Sequence, residues 1–229
     1  MKFRRFGIFS RKSNRLLAPV DGVMVALLAV MIAAPAEAIE EAQYDVVAKE
    51  GNMEIRDYAP QIVAEVSVQG SFQEAGNRAF RPLFNYISGD NKAQGKIEMT
   101  APVSTVKSPQ EIAMTAPVSQ ELKDGKWAVS FMMPAEFTMD TIPVPNNERV
   151  TIRQIEPRRA AVVRYSGTWS EKRFQRHLQE LDNWLQANDY EVTCEPVWAR
   201  YNGPFTPWFM RRNEIIVPIR EQGERSMGG

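Results

Sequence analysis

The sequence predicts an α+β fold, a distorted and mostly antiparallel β-barrel made of two pseudo-symmetric strand-helix-strand-strand halves, with two flanking helices. Two observations support this fold. Segments of the chain recur at an offset of 97 residues. Each copy also passes from a stretch of period-two alternation, through a glycine, into a stretch of helical period. The halves span about residues 43–133 and 148–219.

The internal repeat is clearest around its glycine. The segment GSFQE at 70–74 recurs as GTWSE at 167–171. Further matches in the same register pair Ile55 with Ile152, Ala64 with Ala161, Val66 with Val163, and Phe84 with Leu181. Several matches in one register indicate duplicated structural units.

A strand is predicted before each helix, because apolar residues alternate there as they do on a half-buried strand. In the first half these residues are Ile62, Ala64, Val66 and Val68, and in the second Ala161, Val163 and Tyr165, where the apolar Val162 blurs the alternation. Later strands are predicted over 126–133, 196–201 and 214–219.

A helix then follows each glycine. Ser71 with Glu74, and Thr168 with Glu171, fit the capping box, in which hydroxyl and carboxylate satisfy free backbone amides. Pro82 predicts a kink or a late start in the first helix, and Gly89 a stop after it. Apolar stripes at helical spacing continue the pattern, through Phe72, Ala75, Ala79, Phe80, Leu83, Phe84 and Ile87, and through Phe174, Leu178, Leu181 and Leu185.

A shorter echo lies between the halves. The segment at 97–103 (IEMTAPV) recurs at 112–118 (IAMTAPV), with a turn sequence at 107–110. Alternating Ile and Met with small residues predict two antiparallel strands. The proline places each of these strands at a sheet edge or at a bulge.

Residues 1–38 have the order of a secretory signal peptide. A basic stretch at 1–15 precedes an apolar run at 23–34 and an Ala-Glu-Ala cleavage pattern at 36–38. The prediction is export, to a bacterial periplasm, with a single domain over 39–229. The alternative is an uncleaved anchor in the inner membrane formed by residues 16–36.

Charge and composition exclude several classes. Six of the 28 basic residues and two of the 28 acidic ones fall in 1–38, so residues 39–229 carry 22 and 26 and a net charge of −4. An acidic body argues against a nucleic-acid partner. One Cys and one His, Cys194 and His177, exclude a disulfide framework and a metal site rich in these residues. No catalytic motif is present, so no enzyme activity is predicted.

The segment YISGDN at 86–91, the echo at 97–103 and 112–118, and RRNE at 211–214 together resemble the SOUL haem-binding protein family. The resemblance covers about residues 43–219. It implies a barrel of two pseudo-symmetric halves and binding of haem or a related tetrapyrrole through an apolar surface. A histidine ligand known in some members does not map onto His177, so axial ligation is not implied here.

The candidate ligand site lies on the first helix. Phe80 and Phe84 are one turn apart with Arg78 and Arg81 alongside, which supplies an aromatic wall and cations for carboxylates. The alternative is that both rings are core. The remaining candidates are Ile87 on the same helix and Trp208 in an aromatic, proline-bounded loop at 204–209, which alternatively packs across the open end of the barrel.

The function predicted is non-catalytic binding of haem or another tetrapyrrole by an exported carrier or buffer. The alternative is a module of the same fold that binds another apolar ligand or a protein partner, as in the effector-binding domains of bacterial regulators. Cys194 is expected to be buried, and Arg211, Arg212 and Glu214 are expected to form a structural ion-pair cluster.

Overall fold

The computed structural model describes residues 39–94 and 109–221. The segment at 1–38, the first copy of the echo and the start of its turn lie outside the described residues. The helices are α1 (Phe72–Ile87) and α2 (Glu171–Ala187), with a 3-10 turn at Trp208–Met210. The strands are β1 (Tyr44–Glu50), β2 (Met53–Tyr58), β3 (Gln61–Val68), β4 (Asn91–Lys92), β5 (Val118–Lys123), β6 (Lys126–Met132), β7 (Val144–Pro145), β8 (Thr151–Ile155), β9 (Arg158–Tyr165), β10 (Tyr190–Val192), β11 (Val197–Arg200) and β12 (Asn213–Glu221).

The α+β class, with one large antiparallel sheet and two helices, is confirmed. The order of the sheet is β1-β2-β9-β12-β11-β5-β6-β3-β8, with β10 beside β12, and β4 pairs separately with β7. Among the described residues no pairing joins β1 to β8, so hydrogen bonding does not close the sheet into the predicted barrel.

The strand order has an internal symmetry. The sheet is symmetric about the central β5–β11 pair. Outward from this pair, the strands on one side are β6, β3 and β8, and the corresponding strands on the other side are β12, β9 and β2. The repeat relates β2 to β8 and β3 to β9, and these strands pair across the two halves, β2 with β9 and β3 with β8. The two halves therefore share one sheet rather than forming separate domains.

The predicted strand alternation is confirmed in β3, where Ala64, Val66 and Val68 are buried beneath α1. In β9 the structure explains why Val162 interrupts the predicted alternation. Ala161 and Val163 pack in the cluster beneath α2, whereas Val162 packs in a second cluster with Tyr58 and Tyr201. Because both faces of β9 are covered, its sequence is continuously apolar rather than alternating.

The N-terminus of α1 forms as predicted. Ser71 Oγ accepts from the Glu74 amide at 3.4 Å, and Glu74 Oε2 accepts from the Ser71 amide at 3.2 Å. The helix begins at Phe72 and continues through Pro82, so the late start is wrong. It ends at Ile87, two residues before Gly89, whose φ of +104° requires a glycine-like conformation.

The N-terminus of α2 differs from the prediction. Its N-cap is Ser170, whose hydroxyl accepts from the Arg173 amide, so a capping box at Thr168 and Glu171 is wrong. Glu171 is the first residue of the helix rather than its third. Gly167 still matches Gly70, since both have a φ of +132°. The copies therefore agree at the end of the strand and diverge by two residues at the helix.

Two further expectations are corrected. The segment at 112–118 does not form the predicted strand: Ala116 forms an isolated bridge with Glu41, and β5 begins only at Val118. Cys194 is exposed, not buried, because it lies in the short connection between β10 and β11.

Among the described residues, no helix is long and apolar enough to cross a membrane.

Candidate ligand-binding face of the first helix

The outer face of α1 exposes two aromatic rings. Phe80 and Phe84 are 44% and 43% exposed, whereas Ala79 and Leu83, their neighbours in sequence, are fully buried. The two rings stack with centroids 5.8 Å apart and planes 13° from parallel. They are thus not core residues, and together they form a flat apolar surface.

This surface is attached to the core beneath it. The edge of Phe80 meets the ring of Phe131 on β6, with centroids 5.6 Å apart, and Phe131 is buried. Helical spacing places Phe84 one turn after Phe80, so the two side chains lie on one face. The underlying contacts limit the rotamers of Phe80, which makes the surface stiff as well as apolar.

The predicted cations lie on the same helix. Arg78 and Arg81 are both exposed. The Arg78 Nη1 group donates to the Gln69 carbonyl oxygen at 3.2 Å, which holds it near the start of the helix. Both guanidinium groups are therefore available to the anionic edge of a ligand. Because both are exposed to water, their attraction for an opposite charge is weak.

Ile87 lies at the other end of α1, in the buried core cluster, so it supports the face from beneath. The segment around it is fixed by hydrogen bonds. Tyr86 Oη donates to the Pro143 carbonyl at 2.8 Å. Asn91 is buried and its amide donates to the carbonyls of Tyr86 and Gln110. The YISGDN segment therefore anchors the helix end.

Trp208 lies in a separate exposed loop. Phe205, Trp208, Phe209 and Met210 are 97%, 56%, 60% and 65% exposed, so the loop does not pack across the sheet. Trp208 contacts the ring of Phe209, and among the described residues no ring contact joins it to Phe80 or Phe84. The structure thus brings the helix candidates together and leaves Trp208 apart from them.

Arg211 fixes this loop. Its Nε donates to the Thr206 carbonyl and its Nη2 to the Pro204 carbonyl, both at 2.8 Å. The guanidinium also lies over the Trp169 ring, 4.2 Å from its centroid. These contacts give Arg211 a loop-anchoring role rather than the predicted place in an ion-pair cluster with Arg212.

Arg212 and Glu214 do form the predicted structural cluster. Glu214 is fully buried and accepts hydrogen bonds from Arg56, Arg212 and Tyr201. Burial raises the pKa of Glu214, but the hydrogen bonds and charges of Arg56 and Arg212 outweigh it and bring that pKa below its usual range. The carboxylate is ionised and fully paired, so it is a structural group.

His177 is committed to neighbouring side chains. Its ring stacks on Tyr165 with centroids 4.2 Å apart. Nδ1 lies 2.7 Å from Glu180 Oε2, and Nε2 lies 3.0 Å from Arg176 Nη2. With both ring nitrogens engaged, His177 does not present a free nitrogen to a metal. Within the described part of the chain, no group of His, Cys, Asp or Glu converges to hold a metal ion.

A groove elsewhere on the molecule is lined by residues that the sequence did not single out. It has a volume of about 300 Å³ and runs between the segment at 40–43 and the loop at 134–139. Its walls combine Ile62 and Met133 with carboxylates of Glu40 and Glu41. Glu40 Oε1 accepts a hydrogen bond from the Ala135 amide at 2.8 Å, which links the two sides of the groove.

Comparisons with known proteins agree on one family. The model of the family described as SOUL heme-binding protein matches residues 39–218. Heme-binding protein 2 of Homo sapiens is 29% identical over 195 residues, which cover 79% of this chain and 90% of the human protein. Heme-binding protein 1 of Xenopus tropicalis is 24% identical over 163 residues, covering 71% and 80%.

A solved structure has a similar fold. The C-terminal domain of EcmrR superposes with a TM-score of 0.55 at 13% identity, covering 78% of this chain and 98% of that domain. Identity this low establishes likeness of fold alone.

Proposed function

The chain belongs to the SOUL heme-binding protein family, and from this membership we propose that it binds haem or a related tetrapyrrole reversibly and without catalysis. The observation that supports this most directly is the stacked, half-exposed pair Phe80 and Phe84 on α1. A contiguous exposed aromatic patch of this kind is typical of a surface that binds a ligand or a partner.

The ligand face matches the chemistry of a tetrapyrrole. Such a molecule is flat and largely apolar, so most of its affinity comes from removing surface from water, at roughly 25 cal/mol per Å². Phe80 and Phe84 supply a wall with few rotamers to freeze. Arg78 and Arg81 lie beside that wall for the carboxylates, Ile87 supports it, and Trp208 is the proposed second aromatic contact from the loop.

The proposed binding mode needs no axial ligand. His177 is engaged on both ring nitrogens, and it lies on α2 rather than on the proposed face. Binding through apolar contact and carboxylate pairing is moderate in strength and reversible, which suits a carrier or buffer. We further propose that the protein acts after export, with residues 1–38 as a cleaved signal, the alternative being an inner-membrane anchor at 16–36.

The test is a haem titration of the purified protein followed by absorbance. Wild type is expected to give a saturable Soret band at one haem per chain. The Phe80→Ala, Phe84→Ala double variant is expected to weaken binding about tenfold or more, because it removes two aromatic contacts. His177→Ala is the matched control, for which affinity and band position stay unchanged.

The outcomes separate the two functions. Weak and non-saturating adsorption by wild type would contradict tetrapyrrole binding and favour the interaction-module alternative. Loss of binding in His177→Ala with the double variant unaffected would move the site to α2.

A further inference from the structure

Arg200, on the central strand β11, lies under α1. Its guanidinium is 5.0 Å from the ring centroid of Trp198 and 5.5 Å from that of Trp169. It also approaches the helix at Gly76, where an added Cβ would lie only 3.1 Å from Nη2. Gly76 therefore gives the guanidinium room that any larger residue at this position would reduce.

The guanidinium of Arg200 has no anionic partner in the described part of the chain. It forms no ion pair or hydrogen bond there, and its Nε is buried without an acceptor. Burial lowers the pKa of Arg200 to about 10, so the group is still a cation at neutral pH. Arg200 is partly buried, and proteins normally pair a charge whose contact with water is restricted, because leaving it unpaired is destabilising.

Other polar atoms beside Arg200 are also unpartnered. Gln120 Nε2 donates to the Phe72 carbonyl at 2.7 Å, but its Oε1 is buried without a donor. Trp169 Nε1, on a ring that Arg200 contacts, is buried without an acceptor. The Arg200 guanidinium and Trp169 Nε1 are thus two unused donors, as a carboxylate requires, and Gln120 Oε1 is an unused acceptor beside them.

Sheet register connects Arg200 to the aromatic face. Arg200 is paired with Val118 of β5, and Val118 with Phe131 of β6. Residues directly opposite one another on adjacent strands point to the same face, and strands lie about 4.8 Å apart. Arg200 and Phe131 therefore share one face at a separation of about 10 Å, and Phe80 packs on Phe131.

The spacing of residues along α1 independently supports the connection between Arg200 and the aromatic face. Gly76, Phe80 and Phe84 follow one another at intervals of four residues, so they form one stripe along α1. Arg200 contacts the first position of that stripe, and the stacked rings occupy the next two. A flat ligand lying on the rings would have its edge near Arg200.

We propose that Arg200 is the residue that binds a carboxylate of the tetrapyrrole and so makes the protein selective for ligands with free carboxylates. This inference rests on the proposed function. Arg78 and Arg81 are exposed and screened by water, whereas a charge-assisted bond to a shielded guanidinium is stronger. Trp169 Nε1 supplies the additional donor.

The experiment compares protoporphyrin IX with its dimethyl ester, which has the same macrocycle but no ionised carboxylate. Binding is followed by quenching of tryptophan fluorescence in the full chain, in one buffer and detergent. Wild type is expected to bind the free acid about 10- to 100-fold more tightly than the ester, as one or two charge-assisted hydrogen bonds would give. Raising the salt concentration should change this ratio little.

Arg200→Gln is expected to lower the affinity for the free acid to that for the ester and to leave the ester unchanged. Arg200→Lys, which keeps the charge, is expected to restore part of the preference. Arg220→Gln, which changes an exposed arginine paired with Glu191 outside the proposed site, is the matched control and should keep the wild-type ratio. Circular dichroism verifies the fold of each variant.

The outcomes distinguish the two claims. If wild type binds neither porphyrin, the proposed function is wrong. If wild type binds both porphyrins equally, or Arg200→Gln keeps the preference, the role of Arg200 is wrong while tetrapyrrole binding stands. The comparison in wild type needs no variant, so a failure of Arg200→Gln to fold does not prevent the test.

Discussion

Arg56 and Glu214 form a bidentate ion pair in the interior, with Nη1 donating to Oε2 at 2.8 Å and Nη2 to Oε1 at 3.1 Å. Arg56 comes from β2 and Glu214 from β12, which lie on either side of β9. Both side chains are buried, at 2% and 0% exposure. The pair therefore connects two strands that come from different halves of the chain and that are not hydrogen-bonded to each other in the sheet.

Glu214→Gln is expected to destabilise the protein by about 2–4 kcal/mol, because it removes the buried carboxylate that pairs with Arg56 and Arg212 and leaves Arg56 with Glu54 alone. Urea denaturation measures the change. The matched control is Glu191→Gln, which removes an exposed carboxylate partner of Arg220 and should leave the unfolding midpoint nearly unchanged. Equal midpoints for Glu214→Gln and wild type would contradict a structural role for the pair.

The same pair predicts a pH dependence. The pKa of Glu214 is lowered in the folded state, so its contribution to stability is complete above the unfolded value of about 4.3. That contribution is lost as the pH falls through the folded pKa. The stability difference between wild type and Glu214→Gln should therefore be largest at neutral pH and shrink in acid below about pH 4. A constant difference from pH 7 to pH 3 would contradict this linkage.

The N-caps give a prediction that separates sequence pattern from structure. Ser71→Ala and Ser170→Ala should each lower stability by about 0.5–2 kcal/mol, because each hydroxyl accepts from a helix amide. Thr168→Ala should have a smaller effect, since Thr168 is not the cap. Thermal unfolding of the three variants makes the comparison, and a larger loss for Thr168 than for Ser170 would restore the original capping assignment.

The contrast between the two helix starts shows what the sequence can predict. The cap of α1 depends on residues within three positions of one another, so local pattern was sufficient. At α2, Thr168 and Ser170 both precede the helix, and only Thr168 has an acidic residue three positions later. The structure uses Ser170, and α2 packs on β9 through Phe174 and Leu181, contacts that a local pattern does not contain.

The candidate ligand face, likewise, could be predicted only in part from the sequence. Helical spacing placed Phe80 and Phe84 on one face, but their exposure depends on what the sheet beneath α1 covers. Arg200 gave no signal in the sequence. Its place depends on the approach of β11 to Gly76, two positions far apart in the chain, and only tertiary structure brings them together.

The export proposal makes a prediction about the mature chain. N-terminal sequencing of the protein from its native host is expected to begin at Ile39, after the Ala-Glu-Ala pattern. The protein should be found in the fraction released from the cell envelope. A chain in the membrane fraction that still begins at Met1 would favour the anchor, and an intact chain in the soluble cytoplasm would contradict both.

The final prediction separates binding from stability on one helix. Leu83 is fully buried and Phe84, the next residue, is 43% exposed. Leu83→Ala removes core contacts and leaves a cavity, so it should cost about 2–5 kcal/mol. Phe84→Ala removes a ring already partly in water and should cost roughly 1–2 kcal/mol. For haem affinity the order should be reversed: Phe84→Ala weakens binding, while Leu83→Ala, measured where it is still folded, leaves it nearly unchanged. Urea denaturation and haem titration of the same two variants test both orders. If Phe84→Ala loses as much stability as Leu83→Ala and binds haem as wild type does, Phe84 is a structural residue and the ligand face lies elsewhere.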